Sequence, residues 1–498
     1  MMCRMAKKIE INDVLYLVFC VLLFFIPFNT RKIFPTQFTY FNGFFSEYMT
    51  YSLSLVDILA VILIVLCIIR ARHDFKSLLI QESRSRINRI ICLLTLWILF
   101  GVMLNAKYVD ISFYQAARFS GYIGMAIMIK HIVNTDKRLI QSLLIFSLTG
   151  VIQSFIAIMQ FIGQSSIFGD GLLHKLSGES LISRDVIGTS NIVYFGNKVI
   201  RAYGTLPHPN ILAGYLVFTI LISIYLYITV TQTAFKVKVL GKSDSLTCRL
   251  YSHRTLFASL ICLQFIGLLL TFSRSGIVAL FTVIFFNIVI FKNVSRGTFV
   301  SHLGQFRRLS PLRSHLLGFA TTLFFLSLCI SFSYVFILRM QNEFIGHQST
   351  QDRVLLENVS RGTILMNPLI GTGIGTYVIY LYDNYSGKIT NYWQFQPNHN
   401  SYLLIASEIG IPGVIMYLYL IYLIYSIVNK SANMGIDNAN CTKNEICLFR
   451  TMIIAFLVIG FFDHYFWTSN QMRTLLWVLL GMFVSSQVMK QYVPRETF

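Results

Sequence analysis

The residues of this chain that can do chemistry are four arginines and one histidine that stand close to long apolar runs. Arg201, Arg274, Arg353 and Arg361 lie in polar segments, and His399 lies between two asparagines. Arginine stays charged and binds phosphate oxygens in a fork, so these arginines indicate a phosphate-bearing substrate. A histidine with a pKa near neutrality can take a proton from an incoming hydroxyl group. We therefore predict that these five residues bind a diphosphate and transfer a group from it.

The arginines also have structural interpretations. Arg274 stands in the short turn Thr271-Phe-Ser-Arg-Ser-Gly276 between two apolar runs. Its charge can have a purely structural role there, which is to prevent the turn from inserting too deeply into the membrane. Arg353, Glu357 and Arg361 are spaced by four and share one stripe of a predicted helix over 351–366. A surface helix with two salt bridges explains that stripe equally well.

Three further features leave structural and functional interpretations open. The run Gly371-Thr-Gly-Ile-Gly375 can offer backbone amides to phosphate oxygens, but no strand precedes it as a dinucleotide fingerprint requires. Glu408 falls inside an apolar run, where it either ties helices together or takes part in catalysis. Asn210, after Pro207 and Pro209, is predicted to cap a helix, and a cap does not explain the nearby Arg201.

The elements that position these residues are predicted to be membrane-spanning helices. Hydrophobic residues make up 55% of the 498 residues and charged residues only 12%, about half the charge of a soluble domain. Backbone groups in hydrocarbon must be hydrogen-bonded internally, so apolar runs of this length form helices. We predict an all-α polytopic membrane protein with spans at 12–28, 51–69, 89–105, 112–130, 139–162, 209–230, 256–272, 275–291, 316–338, 401–428, 448–462 and 472–489.

The basic residues predict which side of the membrane each loop occupies. With the N-terminus in the cytoplasm, the inner segments carry 27 Lys and Arg and the outer segments 13. Cytoplasmic loops are enriched in these residues, so both termini are predicted to be cytoplasmic. The same rule explains the net charge of +20 without nucleic acid. All the candidate site residues then fall at the outer face, where no ATP is available and the substrate's own bond must supply the energy.

Two outer segments are too long to be simple turns. The first covers 163–208 and the second 339–400, within one membrane domain over 1–498. Both mix apolar residues, glycines and a few charges, so we predict that they fold against the membrane surface. None of the nine cysteines lies in a predicted outer loop, which argues against a disulfide framework. The first apolar run lacks a cleavage site and is predicted to be a retained span.

Several motifs in this order resemble the bacterial O-antigen ligase and O-antigen polymerase superfamily. They are His399-Asn400 followed by Gly410-x-x-Gly413, the turn around Arg274, and Arg353 fifteen residues before Pro368. The resemblance implies a GT-C-like fold of about twelve transmembrane helices with a large periplasmic loop between the ninth and tenth. It also implies a location in the bacterial inner membrane and an active site at the periplasmic face.

The resemblance further implies what the site does. A glycan would move from undecaprenyl diphosphate to a hydroxyl group of a polysaccharide (polymerase) or of lipid A-core (ligase), without metal or other cofactor. His399 would be the base, Arg274 and Arg353 would activate the diphosphate, and Arg201 and Arg361 would help to bind it. The chain's length slightly favours the polymerase. A transporter or flippase of lipid-linked oligosaccharide is the alternative, suggested by Arg118, Gln153 and Gln160 within predicted spans.

Overall fold

The computed structural model describes residues 11–41, 43–72, 82–83, 85–104, 108–169, 171–194, 197–239, 244–291, 348–387, 389, 391–433 and 443–485. Its first helices are α1 (Ile11–Phe25), α2 (Leu55–Ala71), α3 (Arg86–Leu104), α4 (Val109–Ile132) and α5 (Asp136–Gly163). They are followed by α6 (Leu172–Ser177), α7 (Pro209–Val239), α8 (Asp244–Leu270), α9 (Arg274–Phe291) and α10 (Gln348–Met366). The last are α11 (Tyr377–Tyr385), α12 (Ser401–Asn433), α13 (Lys443–Phe462), α14 (Tyr465–Thr468) and α15 (Asn470–Ser485).

The helices agree with the predicted class of membrane protein. A helix overlaps each predicted span except 316–338, which lies outside the described residues. Within the described residues, five helical stretches are long and apolar enough to cross a membrane, namely Arg86–Leu104, Asp136–Gly163, Pro209–Val230, Ser401–Asn429 and Asn444–Phe462. Shorter apolar helices lie at Ile11–Phe25, Leu256–Leu270 and Arg274–Phe286. The all-α membrane class is therefore confirmed, and the count of twelve spans stays a prediction.

In the part of the chain that the structure describes, six short strands form three antiparallel pairs outside the long helices. β1 (Arg31–Phe34) pairs with β4 (Tyr51–Ser54), and between them β2 (Tyr40–Phe41) pairs with β3 (Phe44–Phe45). The segment 163–208 contains α6 and the hairpin of β5 (Asn191–Tyr194) and β6 (Asn197–Ile200). The segment 339–400, described from 348, contains α10 and α11. Both long segments thus have secondary structure of their own.

Helix packing brings distant parts of the sequence to one end of the bundle. α7 packs against α8 and α13, α12 packs against α13 and α3, and α10 packs on α12. The core of these contacts is apolar, with Tyr215, Phe218 and Trp477 almost completely buried. The start of α7, the turn before α9, the start of α12 and the end of α13 consequently meet.

Arg118, Gln153 and Gln160, three polar residues inside predicted spans, have protein partners. Arg118 of α4 forms a salt bridge with Asp57 of α2 at 2.6 Å. The side chain of Gln153 donates to Thr205 at 2.7 Å, and that of Gln160 donates to Gly204 O at 2.8 Å. These contacts tie helices and the segment before α7 together, since a buried polar group without a partner is costly.

Candidate active site at the ends of four helices

His399 is held at the start of α12 by the asparagines on either side of it. Asn400 Oδ1 accepts the backbone N–H groups of Tyr402 and Leu403 at 2.9 and 3.1 Å, which caps the helix. Asn398 Nδ2 donates to Leu356 O at 3.0 Å, which ties the segment to α10. The sequence therefore fixes the backbone around His399 on both sides and leaves its ring half-buried.

Asp463, directly after α13, is the residue to which the other groups of the cluster point. Its carboxylate is 3% exposed. His399 Nδ1 lies 3.4 Å from Asp463 Oδ1. Asn210 Nδ2 donates to Asp463 Oδ2 at 3.0 Å, and Ser275 Oγ donates to the same oxygen at 3.3 Å. One buried carboxylate thus joins α7, α9 and α12.

Arg201 is linked to this carboxylate through Asn210. The Arg201 side chain is buried and donates to Thr271 O at 2.7 Å, Ser190 Oγ at 2.9 Å and Asn210 Oδ1 at 2.6 Å. α7 begins at Pro209, so the predicted cap role of Asn210 is wrong. Its side chain bridges Arg201 and Asp463 instead, because the first turn of α7 directs it toward both.

The chemistry of Arg201 sets the direction of every hydrogen bond in this chain. A guanidinium has donors only, so Asn210 must present its oxygen to Arg201 and its NH₂ group to Asp463. The carboxylate then accepts from Asn210 and accepts the Nδ1–H of His399. In the neutral imidazole the lone pair is left on Nε2. Arg201, Asn210 and Asp463 therefore select the tautomer of His399 that can act as a base at Nε2.

Two more histidines, His464 and His208, lie beside the cluster. The His464 ring lies 5.3 Å from that of His399, centroid to centroid, and its Nδ1 is 2.7 Å from Thr468 Oγ1. His208 Nδ1 accepts the backbone N–H of Asn210 at 3.1 Å. Burial lowers the pKa of His464 to about 3, and the charges of His399 and Arg353 act in the same direction. Burial and the charge of Arg201 likewise lower the pKa of His208 to about 3.

Asp463 shows the opposite balance. Burial by itself would raise its pKa, but the hydrogen bond and charge of His399, with the charges of His464 and Arg353, lower it to about 2. At neutral pH the site therefore holds an ionised carboxylate between neutral His464 and His208. The charge of Arg353 on α10 contributes to lowering the pKa of both Asp463 and His464, and its role in the site stays a prediction.

The other predicted arginines lie at different distances from this centre. Arg274 is half-buried in the first turn of α9, next to the Ser275 that contacts Asp463. The turn before it is strained, since Phe272 has a φ of 50°. Arg361 lies two turns beyond Arg353 on α10, has a side chain 67% exposed, and is 3.8 Å from Glu357. The described contacts thus link His399 and Arg201 through Asn210 and Asp463. Arg274 is the chain neighbour of Ser275 in this network, and Arg361 lies on the exposed side of α10.

The glycine-rich run binds protein rather than offering its amides to a ligand. Thr372 N donates to Ser407 O and Gly373 N to Glu408 O, both at 2.9 Å. α12 is interrupted at Gly410, and these amides satisfy carbonyls that the break frees. The suggested phosphate contact by this run is wrong for these two amides. Glu408 accepts from Trp467 Nε1 at 2.6 Å and so ties α12 to α14.

His399, Asp463 and His464 also have the geometry of a metal site. Each offers one ligand atom, and these atoms lie within 4.8 Å of one another. Sequence reasoning missed Asp463, His464 and His208 as site residues. The signal was present: Asp463-His464 directly follows a predicted span on the outer side, as His399 directly precedes one. Five cysteines of the described residues are free thiols.

The helices and the polar cluster at their ends define a polytopic helical membrane protein with a charged site at the ends of its helices. Residues 257–418 match the family model described as O-antigen ligase. This match confirms the resemblance to the O-antigen ligase and polymerase superfamily, and the matched segment contains Arg274, Arg353 and His399. A comparison with curated proteins found no significant match.

Proposed function

We propose that this protein transfers a glycan from undecaprenyl diphosphate to a hydroxyl acceptor at the periplasmic face of the bacterial inner membrane. The observation that carries the proposal is the O-antigen ligase match over 257–418, since that segment supplies the histidine and two arginines of one cluster. O-antigen ligase and polymerase activities are both glycosyl transfers onto a hydroxyl group. The lipid tail would remain in the bilayer while the diphosphate reaches the outer ends of the helices.

The cluster accounts for each part of this reaction. Arg353 and Arg274 bind the diphosphate oxygens, and Arg201 and Arg361 add to the positive field around them. His399 Nε2 takes the proton of the acceptor hydroxyl while the hydroxyl oxygen bonds to the anomeric carbon. The bond from that carbon to the diphosphate breaks, and undecaprenyl diphosphate leaves with its charge stabilised by the arginines. No step requires a metal ion.

We prefer the polymerase over the ligase, with a growing polysaccharide as the acceptor rather than lipid A-core. The length of the chain and its long segment 163–208 favour this choice. For a lipid-linked oligosaccharide transporter, the motivating residues Arg118, Gln153 and Gln160 have protein partners in the bundle. These contacts give the three residues a structural role, so no feature of the described residues favours transport over transfer.

The test uses purified protein, an undecaprenyl-diphosphate-linked glycan repeat and candidate acceptors. Product ladders would support a polymerase, and transfer to lipid A-core would support a ligase. Movement of the lipid across proteoliposomes without any transfer would overturn the proposal. His399→Gln is expected to lower the rate at least about 100-fold at normal expression, because the proton acceptor is lost.

A second variant tests how His399 is oriented. Asn210→Asp can still accept from Arg201 but, as a carboxylate, cannot donate to Asp463. It should therefore break the hydrogen-bond chain from Arg201 to His399 and lower kcat more than it raises KM. Asn384→Asp is the matched control, because Asn384 donates only to Tyr380 O on the exposed side of α11. Equal rates for wild type and Asn210→Asp would contradict the assigned tautomer of His399.

A further inference from the structure

The three residues at the centre of the site have donor atoms suited to a transition-metal ion. Two imidazoles and one carboxylate are ligands that zinc accepts, and three protein ligands leave a fourth position open. Their ligand atoms lie within 4.8 Å of one another in the described part of the chain. Asp463 is 3% and His464 8% exposed, so little solvent competes for them.

The distance between His399 and Asp463 matches the spacing of two ligands of one metal ion. A charge-assisted N–H···O bond is usually about 2.7–2.9 Å long, whereas His399 Nδ1 and Asp463 Oδ1 are 3.4 Å apart. Two ligand atoms of a tetrahedral zinc ion with bonds of about 2.0–2.1 Å lie roughly 3.3–3.4 Å apart. The hydrogen bond is therefore long and weak, and the same spacing matches one edge of a tetrahedral metal site.

The groups behind these ligands are also those that a metal site requires. Thr468 Oγ1 lies 3.3 Å from His464 O, to which it can only donate, and the site assigned below takes the 2.7 Å contact at His464 Nδ1 as donated by the ring. The lone pair of His464 is then on Nε2, and its other nitrogen is held by an oxygen, as in most metal-binding histidines. Asp463 Oδ2 is held by Asn210 and Ser275, which leaves Oδ1 for the metal. His208 is excluded, because its Nδ1 already accepts from Asn210 N.

We propose that His399, Asp463 and His464 form a binding site for a divalent transition-metal ion of the zinc class, and that the bound ion inhibits the enzyme. When His399 Nδ1 binds the metal, the proton that it carried moves to Nε2. Nε2 then has no lone pair and cannot accept the proton of the acceptor hydroxyl. The guanidinium of Arg353 opposes a second cation nearby, so binding is weaker than in a structural zinc site and a chelator reverses it. The inhibition rests on the proposed glycosyl transfer, whereas metal binding does not.

Binding is tested with the full-length protein, purified through a tag without histidines and titrated with Co²⁺. We expect one equivalent to give the visible absorption bands of a four-coordinate Co²⁺ ion, and Zn²⁺ to remove them by competition. His464→Gln should abolish the bands, and Thr468→Val should weaken binding about tenfold because the ring is no longer oriented. His131→Gln is the control, because His131 lies in the last turn of α4, 3.1 Å from Glu82, and is not one of the three proposed ligands.

The activity assay separates this inference from the proposed function. Zn²⁺ should inhibit the wild type and His131→Gln, and a chelator should restore both. Absence of saturable Co²⁺ binding, or His464→Gln binding Co²⁺ as tightly as wild type, would overturn the metal site even if transfer is active. Loss of activity on chelation would overturn the inhibitory role. Metal binding without glycosyl transfer would leave the site standing and remove the proposed function.

Discussion

Asp463 and His464 are neighbours in the sequence, and at neutral pH their surroundings leave the carboxylate ionised and the imidazole neutral. The carboxylate has hydrogen-bond donors on both oxygens, and these outweigh the cost of burying its charge. The imidazole has Thr468 on one nitrogen and the positive charge of Arg353 nearby, so burial prevails. A single turn after α13 thus supplies one permanent acceptor and one neutral ring to the site.

This balance predicts that acid destabilises the protein through its buried histidines. An unfolded histidine titrates near pH 6.5, while the pKa values of His464 and His208 in the folded protein are about 3. Below pH 6.5 the unfolded chain therefore binds protons that the folded chain does not, and stability falls by up to about 1.4 kcal/mol per pH unit for each histidine.

The measurement is the midpoint of thermal unfolding in detergent between pH 7 and pH 5. Asp463 does not contribute in this range, because its stabilising charge is lost only between about pH 3.8 and about pH 2. His464→Gln keeps a polar contact to Thr468 and should show a shallower fall with pH than wild type. The same slope in both proteins would show that His464 is not kept neutral by the fold.

At the scale of elements, the break in α12 positions the start of that helix against α10. Gly410 has a φ of 74°, and a Cβ placed there would lie 1.8 Å from Leu369 O. Ile411 N donates to Pro368 O at 2.8 Å, so the segment after α10 fits directly into the break. Because α10 carries Arg353 and α12 begins beside His399, this contact holds the two sides of the site together.

Gly410→Ala is expected to destabilise the protein by at least about 2 kcal/mol, since it combines a left-handed backbone with a clash against a carbonyl. The yield of folded protein and the thermal midpoint should both fall. Gly387→Ala is the control, because a Cβ there meets nothing within 4 Å. A normal midpoint for Gly410→Ala would mean that the break is not required for packing.

At the scale of the whole molecule, the orientation in the membrane follows from charge rather than from packing. The excess of Lys and Arg in alternate loops predicts that both termini lie in the cytoplasm and the cluster around Asp463 outside. Alkaline phosphatase fused after residue 187 or residue 385 should therefore be active, and after residue 134 or residue 435 inactive. Activity of the last two fusions would show that the molecule has the opposite orientation, with the cluster on the cytoplasmic side.

Much of this architecture could be predicted from the sequence because it depends on local properties. Apolar runs determine where helices form, basic loops predict their orientation, and asparagines beside His399 fix the start of α12. The arginines and His399 could be chosen because their residue types suit phosphate and proton chemistry. The family resemblance, carried by motifs close together in the sequence, was confirmed by the match over 257–418.

Other features required the tertiary structure, since they join residues far apart in the chain. Asn210 and Asp463 are separated by 253 positions, and no periodicity links them. The direction of their hydrogen bonds depends on Arg201 lying against the same amide, which only helix packing brings about. The glycine-rich run could be seen in the sequence, but its partners, the carbonyls freed at Gly410, could not. The sequence by itself predicted which groups face the outer surface, and the packing of α7, α9, α12 and α13 decided which of them touch.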